Sequence, residues 1–326
     1  MQEIQENSIL RYSKRIVDAL TARATLEHDF FGGWEPSDLD LFAKYRHQAN
    51  GASGFVTDYF GIKTSVSSVP WAAGNDGNVF TDPPIPDDGV RAEAIEYFAL
   101  LDAIEKSPGS SFSIIELGSS YAPWACIAGV IAERQGKTKI SLRAVEASSF
   151  FHSLILDNFI ANNLNPATAK IHLETKAILG AAGIKRGTAF FPVVSSAFEN
   201  GGQVSDEKLV VDYVGREVAH EAVPVRTLDE IFDGLDIVDL LHCDIQGSEV
   251  EVLTHGAAFL TQKVRHMFIG THSRIIEGKL IECFHKHGWS LIRERPVIFK
   301  HRTDLPSTTG MTTRDGGQYW INNRFT

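Results

Sequence analysis

The sequence predicts an α/β fold in which a mostly parallel sheet of about seven strands carries helices on both faces. Two observations lead to this fold class. Segments typical of strands alternate with helical patterns between residues 112 and 179, as they do in parallel sheets. Residues 237–243 form a near-continuous apolar run, which is typical of a strand buried on both faces.

The N-terminal part of the chain is predicted to form an extension to this sheet. Residues 1–30 carry apolar side chains at helical spacing, which suits a docking arm, a dimer contact or a helix packed on its own domain. Residues 50–90 are irregular, and they contain Tyr59, Phe60 and Trp71 among turn residues. Because long irregular segments in compact domains are often functional, we interpret this one as a lid or substrate wall. The alternative is an ordered surface loop with buried aromatic anchors.

The main domain is predicted to cover residues 91–326, with a turn-rich insertion at about 180–225. Hydrophobic periodicity and turn residues define its elements. Helices are predicted at 90–107, 123–134, 149–164, 247–260 and 274–287, with a short one before residue 233. Strands are predicted at 112–117, 139–145, 169–179, 188–194, 209–214, 237–243, 264–270, 289–293 and 318–323.

Composition excludes several classes of protein. The net charge is −10 and no basic tract occurs, so nucleic acid is not an expected partner. The longest apolar run, residues 125–132, is far shorter than the ~18 residues that a membrane helix needs. The N-terminus lacks the pattern of a signal peptide, and the three cysteines have no metal-ligand spacing. We therefore expect a cytoplasmic protein that does not bind a membrane.

The first candidate site is the turn after the first predicted strand of the main domain. The strand ends in Glu116-Leu117-Gly118, two serines follow, and Pro123 opens a helix. Such strand–glycine–helix turns bind nucleotide-like ligands in α/β sheets, although they also occur in βα units without a ligand. The G-x-G-x-x-G pattern that serves a pyrophosphate is absent, and a carboxylate would repel phosphate. The turn therefore favours a cationic ligand.

Glu146 is the second candidate, at the end of the next predicted strand. A carboxylate at this position accepts hydrogen bonds from both hydroxyls of an adenosine ribose, whereas the alternative is a surface glutamate that ends a strand. Together with Glu116 and the single Gly118, it favours a ligand with adenosine and a positive charge but no phosphate. S-adenosylmethionine is such a ligand.

Polar residues also follow two later strands. Asp244 belongs to a group at the exit of strand 237–243 that also contains His242, Gln246 and Glu249, and helix capping is the alternative role for the group. His272 follows strand 264–270, where a histidine suits a general base near neutral pH. These Asp and His side chains could ligate a divalent metal, but no spacing is specific for one, and we predict no metal site.

These motifs resemble the FkbM-type methyltransferase family over roughly residues 90–326. The resemblance lies in Glu116-Leu-Gly118, in Val145-Glu146-Ala147 and above all in Asp244-Ile-Gln-Gly-Ser-Glu249. It implies a class I, Rossmann-like methyltransferase that uses S-adenosylmethionine. The usual reaction in this family is O-methylation of a hydroxyl on a sugar or natural product.

The resemblance also implies roles for individual residues. Those assigned to the cofactor site are Glu116, Gly118, Ser119, Tyr121, Glu146, Ala147, Ala177 near the adenine, and Asp244 beside the methyl-transfer position. His272 or Asp244 would act as the general base. Two positions depart from the family pattern, because Ser120 replaces a usual glycine and Gln246 stands where glutamate is common.

The function predicted from sequence is therefore O-methylation by S-adenosylmethionine of a small-molecule or glycosylated acceptor. The alternatives are an NAD(P)-type oxidoreductase on a Rossmann-like fold and a non-catalytic binding protein with a methyltransferase fold. Specificity is expected to lie in residues 50–90 and 180–225, and a homodimer is compatible with the sequence.

Overall fold

The structure is a computed structural model that describes residues 32–326, so the helix predicted for residues 1–30 lies outside the described part. Its first strands are β1 (Phe55–Thr57), β2 (Lys63–Ser65), β3 (Ser111–Leu117), β4 (Lys139–Glu146), β5 (His172–Leu179), β6 (Ala181–Ala182) and β7 (Gly187–Pro192). The later strands are β8 (His220–Arg226), β9 (Val238–Cys243), β10 (Val264–Thr271), β11 (Trp289–Arg295), β12 (Ile298–Phe299), β13 (Thr312–Arg314) and β14 (Gly316–Asn322).

The α-helices of the described residues lie mostly between strands of the main sheet. They are α1 (Asp38–Tyr45), α2 (Ala94–Lys106), α3 (Pro123–Arg134), α4 (Ser149–Ala161), α5 (Leu228–Ile231), α6 (Glu249–His255), α7 (Ala257–Lys263) and α8 (Arg274–Lys286). None of them is long and apolar enough to cross a lipid bilayer.

Seven strands form the central sheet in the order β11-β14-β10-β9-β3-β4-β5. The β5-β4-β3-β9-β10 part is parallel, whereas β14 runs antiparallel to both β10 and β11. The antiparallel strand between β10 and β11 distinguishes this sheet from the six-stranded parallel sheet of dinucleotide-binding folds. The sheet has the class I methyltransferase architecture, and the predicted fold class is confirmed.

Alternating side chains of the central strands build a core on each face of the sheet. Ile114 of β3 packs in the core that includes α2, α3 and α4, and its neighbour Ile115 packs in the core that includes α6, α7 and α8. Every residue of β9 is buried, as its apolar run predicted. Burial of one such side chain contributes about 1.5–3 kcal/mol to stability, so the strands that lead to the site are firmly placed.

The structure divides the aromatic residues of the N-terminal extension into two groups. Tyr59 and Phe60 are buried; Phe60 packs against Phe42 and Tyr97, and Tyr59 packs against Phe60, so they anchor the extension to the core. Trp71, on a 3₁₀ helix at Pro70–Asn75, stays 44% exposed. The anchored-loop interpretation therefore describes the first two residues, and only Trp71 is free to line a site.

Two predicted elements differ from the structure. Residues 209–214 form no strand, and Val210 is 79% exposed; β8, a less apolar segment, pairs with β7 instead. The helix predicted at 247–260 is divided into α6 and α7 at Gly256. A Cβ at Gly256 would lie 2.2 Å from Cδ1 of Leu228, so α5 packs closely against this break and a side chain here would displace Leu228.

Candidate active site

A cavity of about 640 Å³ opens at the carboxyl ends of β3, β4 and β9, which is where open α/β sheets bind ligands. Two of its walls are the turn after β3 and the exit of β9, and residues from both ends of the described chain complete it. Most of the residues predicted to form the site line it, namely Glu116, Gly118, Ser119, Tyr121, Glu146, Ala147 and Asp244.

Gly118 brings the two key loops together. Its φ is +72°, and a Cβ at this position would lie 1.7 Å from the carbonyl oxygen of Asp244. The Asp244 amide in turn donates to the Leu117 carbonyl oxygen at 2.9 Å. Glycine is therefore required here by the close approach of the protein's own backbone.

The turn after Gly118 contains two further left-handed residues that are not glycine. Ser120 has φ +48° and Ala122 has φ +59°. A residue with a Cβ in this conformation costs about 1–2 kcal/mol relative to its right-handed form. Position 120, where the family pattern has glycine, thus holds a serine in a backbone conformation that favours glycine.

We expect Ser120→Gly to raise the free energy of unfolding by about 1 kcal/mol, because it relieves this strain and keeps the backbone amide. The control is Ser119→Gly, because Ser119 does not have a positive φ. That substitution should destabilise the protein or leave its stability unchanged. Urea denaturation of both variants measures the difference, and an equal destabilisation would contradict the strain argument.

Glu116 is a buried carboxylate at the start of α3. It accepts hydrogen bonds from the amides of Ala125 at 2.7 Å and Trp124 at 3.4 Å. Burial raises its pKa to about 8, although these two amide bonds oppose the shift. Glu116 therefore holds the start of the helix and also presents to the cavity a carboxyl group that a cation would ionise.

Glu146 ties the end of β4 to the turn after β3. One of its oxygens accepts from the Ser120 amide and the other from the Ser148 amide, each at 2.7 Å. A carboxylate oxygen has two lone pairs, so each retains capacity for one further donor. Burial raises the pKa of Glu146 to about 7 against the effect of these amide bonds.

His272 lies between two carboxylates on the far side of Asp244 from the cavity. Its Nδ1 is 2.9 Å from Oε1 of Glu249, and its Nε2 is 3.2 Å from Oδ1 of Asp244. Burial alone would lower the pKa of His272, but the two carboxylates outweigh it and hold this pKa well above the usual range. The same ion pair lowers the pKa of Asp244, although burial acts in the opposite direction.

This arrangement separates the two residues predicted as general bases. His272 is 2% exposed and does not line the cavity, and as an imidazolium it has no free lone pair. The geometry therefore does not support His272 as a base and makes it a positioning residue for Asp244. Asp244 keeps 39% of its side chain exposed. Gly270 packs closely against it, because a Cβ at Gly270 would lie only 3.0 Å from the Asp244 Cγ.

The Asp244, Glu249 and His272 side chains also lie close enough to be considered as a metal site, with ligand atoms within 4.8 Å of one another. Glu249, however, already accepts from the amides of Ile245 and Gly247 as well as from His272. The two ring nitrogens of His272 face different carboxylates. Glu249 and Nδ1 of His272 are therefore already engaged in hydrogen bonds, whereas Nε2 of His272 only contacts Asp244 and makes no hydrogen bond among the described residues. With Glu249 and one ring nitrogen occupied, the three residues fit a metal poorly.

One predicted cofactor residue lies elsewhere. Ala177, on β5, packs against the hydrophobic core and is not among the described residues that line the cavity. Gly180 and Ala181, just beyond the same strand, line the cavity instead. The adenine contact expected at Ala177 is therefore not supported by its position.

Several lining residues were not singled out from the sequence. They come from the segment before α2 and its first turn, from the insertion and from the segment before β14, and they include Arg91, Glu93, Glu96, Glu199 and Asp315. The carboxylates that line the cavity are Glu93, Glu96, Glu116, Glu146, Glu199, Asp244 and Asp315, and the arginines are Arg91 and Arg314. The excess of acidic over basic side chains in the lining favours a ligand with positive charge.

Comparison with known proteins now identifies the family. The methyltransferase FkbM domain matches residues 117–293, more than half of the chain. The chain belongs to the FkbM methyltransferase family. A protein of Jannaschia sp. (strain CCS1), described as "Putative methyltransferase", is 28% identical to this FkbM methyltransferase over 260 residues, which are 77% of this chain and 88% of the relative.

Solved structures resemble the chain only distantly. The METTL16 MTase domain covers 68% of this chain and 64% of its own, at 11% identity and a TM-score of 0.36. The match to M. capricolum TrmK in complex with S-adenosyl-homocysteine covers 69% of this chain and 67% of TrmK, at 12% identity and a TM-score of 0.32. The match to Precorrin-6y C5,15-methyltransferase from Geobacter metallireducens GS-15 covers 71% of this chain and 89% of that protein, at 11% identity and a TM-score of 0.34. Scores this low carry no argument about the acceptor.

The FkbM match does not include the whole cavity. It contains the turn after β3, the end of β4 and the exit of β9, whereas Arg91, Glu93, Glu96 and Asp315 lie outside residues 117–293. In this methyltransferase, the segments that flank the matched domain therefore supply part of the site.

Proposed function

We propose that this FkbM methyltransferase transfers a methyl group from S-adenosylmethionine to a hydroxyl of a sugar or another small natural product. One observation carries the proposal. Glu116, Glu146 and Asp244 line a single cavity at the carboxyl edge of the sheet, in a chain whose family is that of methyltransferases. Bound S-adenosylmethionine supplies an electrophilic methyl group on a sulfonium.

The cofactor end of the cavity suits a cationic adenosine derivative. Glu146 retains a free lone pair on each oxygen for the two ribose hydroxyls. Glu116 faces the same cavity and offers a carboxyl group to the positively charged methionine portion. The oxidoreductase alternative has less support, because the turn after β3 lacks the G-x-G-x-x-G pattern that binds a pyrophosphate.

Asp244 is the residue that we assign to the acceptor hydroxyl. Its ionised carboxylate accepts the hydroxyl hydrogen bond while Glu249 and His272 hold it in place. As the acceptor oxygen bonds to the methyl carbon, the carbon–sulfur bond breaks, and the hydroxyl proton passes to Asp244. S-adenosylhomocysteine and the methylated acceptor are the products. The main contribution of the protein is the alignment of the two reacting atoms.

The mouth of the cavity suits a ring-shaped acceptor. Trp71 of the extension lines the cavity and contacts Phe198 of the insertion, with ring centroids 6.4 Å apart; Trp71 is 44% exposed and Phe198 is 66% exposed. Aromatic faces at a cavity entrance pack against the apolar faces of sugar and natural-product rings. The extension and the insertion are thus the two elements to which we assign acceptor specificity.

We expect S-adenosylmethionine binding at pH 7 to release protons. Glu116 has a pKa of about 8 in the empty site, so it is mostly protonated at pH 7, and a cationic ligand favours its ionised form. Titration calorimetry in phosphate and in Tris, which differ in ionisation enthalpy, measures this release. The release should disappear above pH 9.

The control for this titration is Glu116→Gln, which should bind more weakly and release fewer protons. Identical binding heats in both buffers would contradict the assignment of Glu116. A titration with NAD⁺ tests the function itself, because we expect no binding, and tight NAD⁺ binding without S-adenosylhomocysteine binding would favour the oxidoreductase.

A further inference from the structure

We propose that Arg91 and Tyr121 form a carboxylate-binding site for the methionine portion of S-adenosylmethionine. The inference rests on the proposed function and deepens it, because it assigns a cofactor contact to a residue outside the matched FkbM domain. Arg91 lies three residues before α2, and Tyr121 lies in the turn after β3. Both line the cavity.

Arg91 is fixed on two sides and unpartnered on the third. Its Nη1 is 3.0 Å from Oδ2 of Asp58, and its Nε is 3.3 Å from Oδ2 of Asp88. Its Nη2 and Nε are both buried, and neither has a hydrogen-bond partner among the described residues, so the contact of Nε with Asp88 is an ion pair only. The two ion pairs therefore set the plane of the guanidinium and leave one N–H edge for a ligand.

The two aspartates also share their charge with other donors. Asp58 accepts from the amides of Phe60 and Ile62, and Asp88 accepts from three consecutive amides that begin at Val90 and from the Tyr97 hydroxyl. These bonds fold the extension around the guanidinium. Arg91 is thus held between two carboxylates that share their charge with other donors, and its Nη2 remains without a partner among the described residues.

Tyr121 supplies a second unpartnered donor. Its hydroxyl is buried and has no hydrogen-bond partner, and its side chain is 5% exposed. Burial raises the pKa of Tyr121, the charge of Arg91 lowers it, and Glu116 acts in the same direction as burial. The phenol therefore lies within electrostatic range of a cation and of a carboxyl group.

The donors of Arg91 and Tyr121 and the acceptor of Glu116 match the two ends of an α-amino acid. Arg91 and Tyr121 offer donors to a carboxylate, and Glu116 offers an acceptor to an ammonium. The other arginine that lines the cavity, Arg314, is exposed at the surface, whereas the Arg91 side chain is 4% exposed. A buried, oriented guanidinium is the better partner for a carboxylate enclosed in the cavity.

The test compares two ligands in three proteins. S-adenosylhomocysteine carries the carboxylate, and its decarboxylated analogue, 5′-(3-aminopropylthio)-5′-deoxyadenosine, lacks only that group. In titration calorimetry, we expect Arg91→Met to weaken S-adenosylhomocysteine binding 10-fold or more and Tyr121→Phe to weaken it about 5-fold. Both variants should bind the analogue within about twofold of the wild type.

The outcomes separate this inference from the proposed function. If the wild type binds neither ligand, the proposed function fails. If the wild type binds S-adenosylhomocysteine but the variants lose affinity for both ligands equally, or for neither, the carboxylate assignment is overturned and the proposed function stands. Because Arg91→Met removes two ion pairs, thermal unfolding is measured for each variant, and Tyr121→Phe alone decides if Arg91→Met does not fold.

Discussion

Asp244→Asn is expected to lower kcat at least 100-fold while the affinity for S-adenosylhomocysteine changes by less than about threefold. The carboxylate is the group that receives the acceptor proton, and general bases contribute about 10²–10⁴-fold to rate. Asparagine has a similar shape, so the close contacts of this loop with Gly118 and Gly270 persist. Single-turnover assays with radiolabelled S-adenosylmethionine and an acceptor found by screening sugars and natural products measure kcat.

The matched control is Asp157→Asn, the same substitution at an exposed residue of α4 that does not line the cavity. It should leave kcat unchanged. Full turnover in Asp244→Asn would show that Asp244 is not the base. An equal loss of turnover and of cofactor affinity would indicate a structural role for this carboxylate.

Glu146→Gln is expected to weaken S-adenosylhomocysteine binding about 10- to 100-fold. The substitution removes a charged acceptor, and hydrogen bonds to charged groups contribute about 1.5–3 kcal/mol. The new amide group would also face the N–H of Ser120 or of Ser148, each of which now donates to Glu146. Titration calorimetry at pH 8 measures the dissociation constant.

The pH dependence of wild-type binding tests the same assignment. Because burial raises the pKa of Glu146 to about 7, the carboxylate ionises as pH rises through 7, and affinity should increase from pH 6 to pH 8.

The matched control for Glu146→Gln is Glu174→Gln on β5, whose exposed carboxylate pairs with Arg143 at 3.4 Å. Equal affinities for the Glu146 and Glu174 variants would refute the ribose contact.

The part of the cavity at the strand ends could be predicted because its residues lie at the carboxyl ends of buried strands. The apolar runs of β3 and β9 fix those strands in the sheet, and parallel strands bring their carboxyl ends to one edge. Glu116, Glu146 and Asp244 therefore meet in the cavity, as the sequence predicted. Local patterns were sufficient where one strand end determines one position.

The rest of the site depends on contacts between distant segments, which local patterns do not report. Arg91 and Asp315 reach the cavity from opposite sides of the matched domain. The charge of His272 depends on two carboxylates from another loop, so its suitability as a base could not be judged from its position after a strand. The face of the sheet on which Ala177 lies depends on the register of β5, because a shift of one residue moves a side chain to the opposite face.

The crystal structure of this protein with S-adenosylhomocysteine is the measurement that tests the central claim most directly. We expect the two ribose hydroxyls within hydrogen-bond distance of the Glu146 carboxylate and the sulfur in the cavity on the side of Asp244. A complex in which the ribose lies away from Glu146, or in which the sulfur is remote from Asp244, would contradict the account.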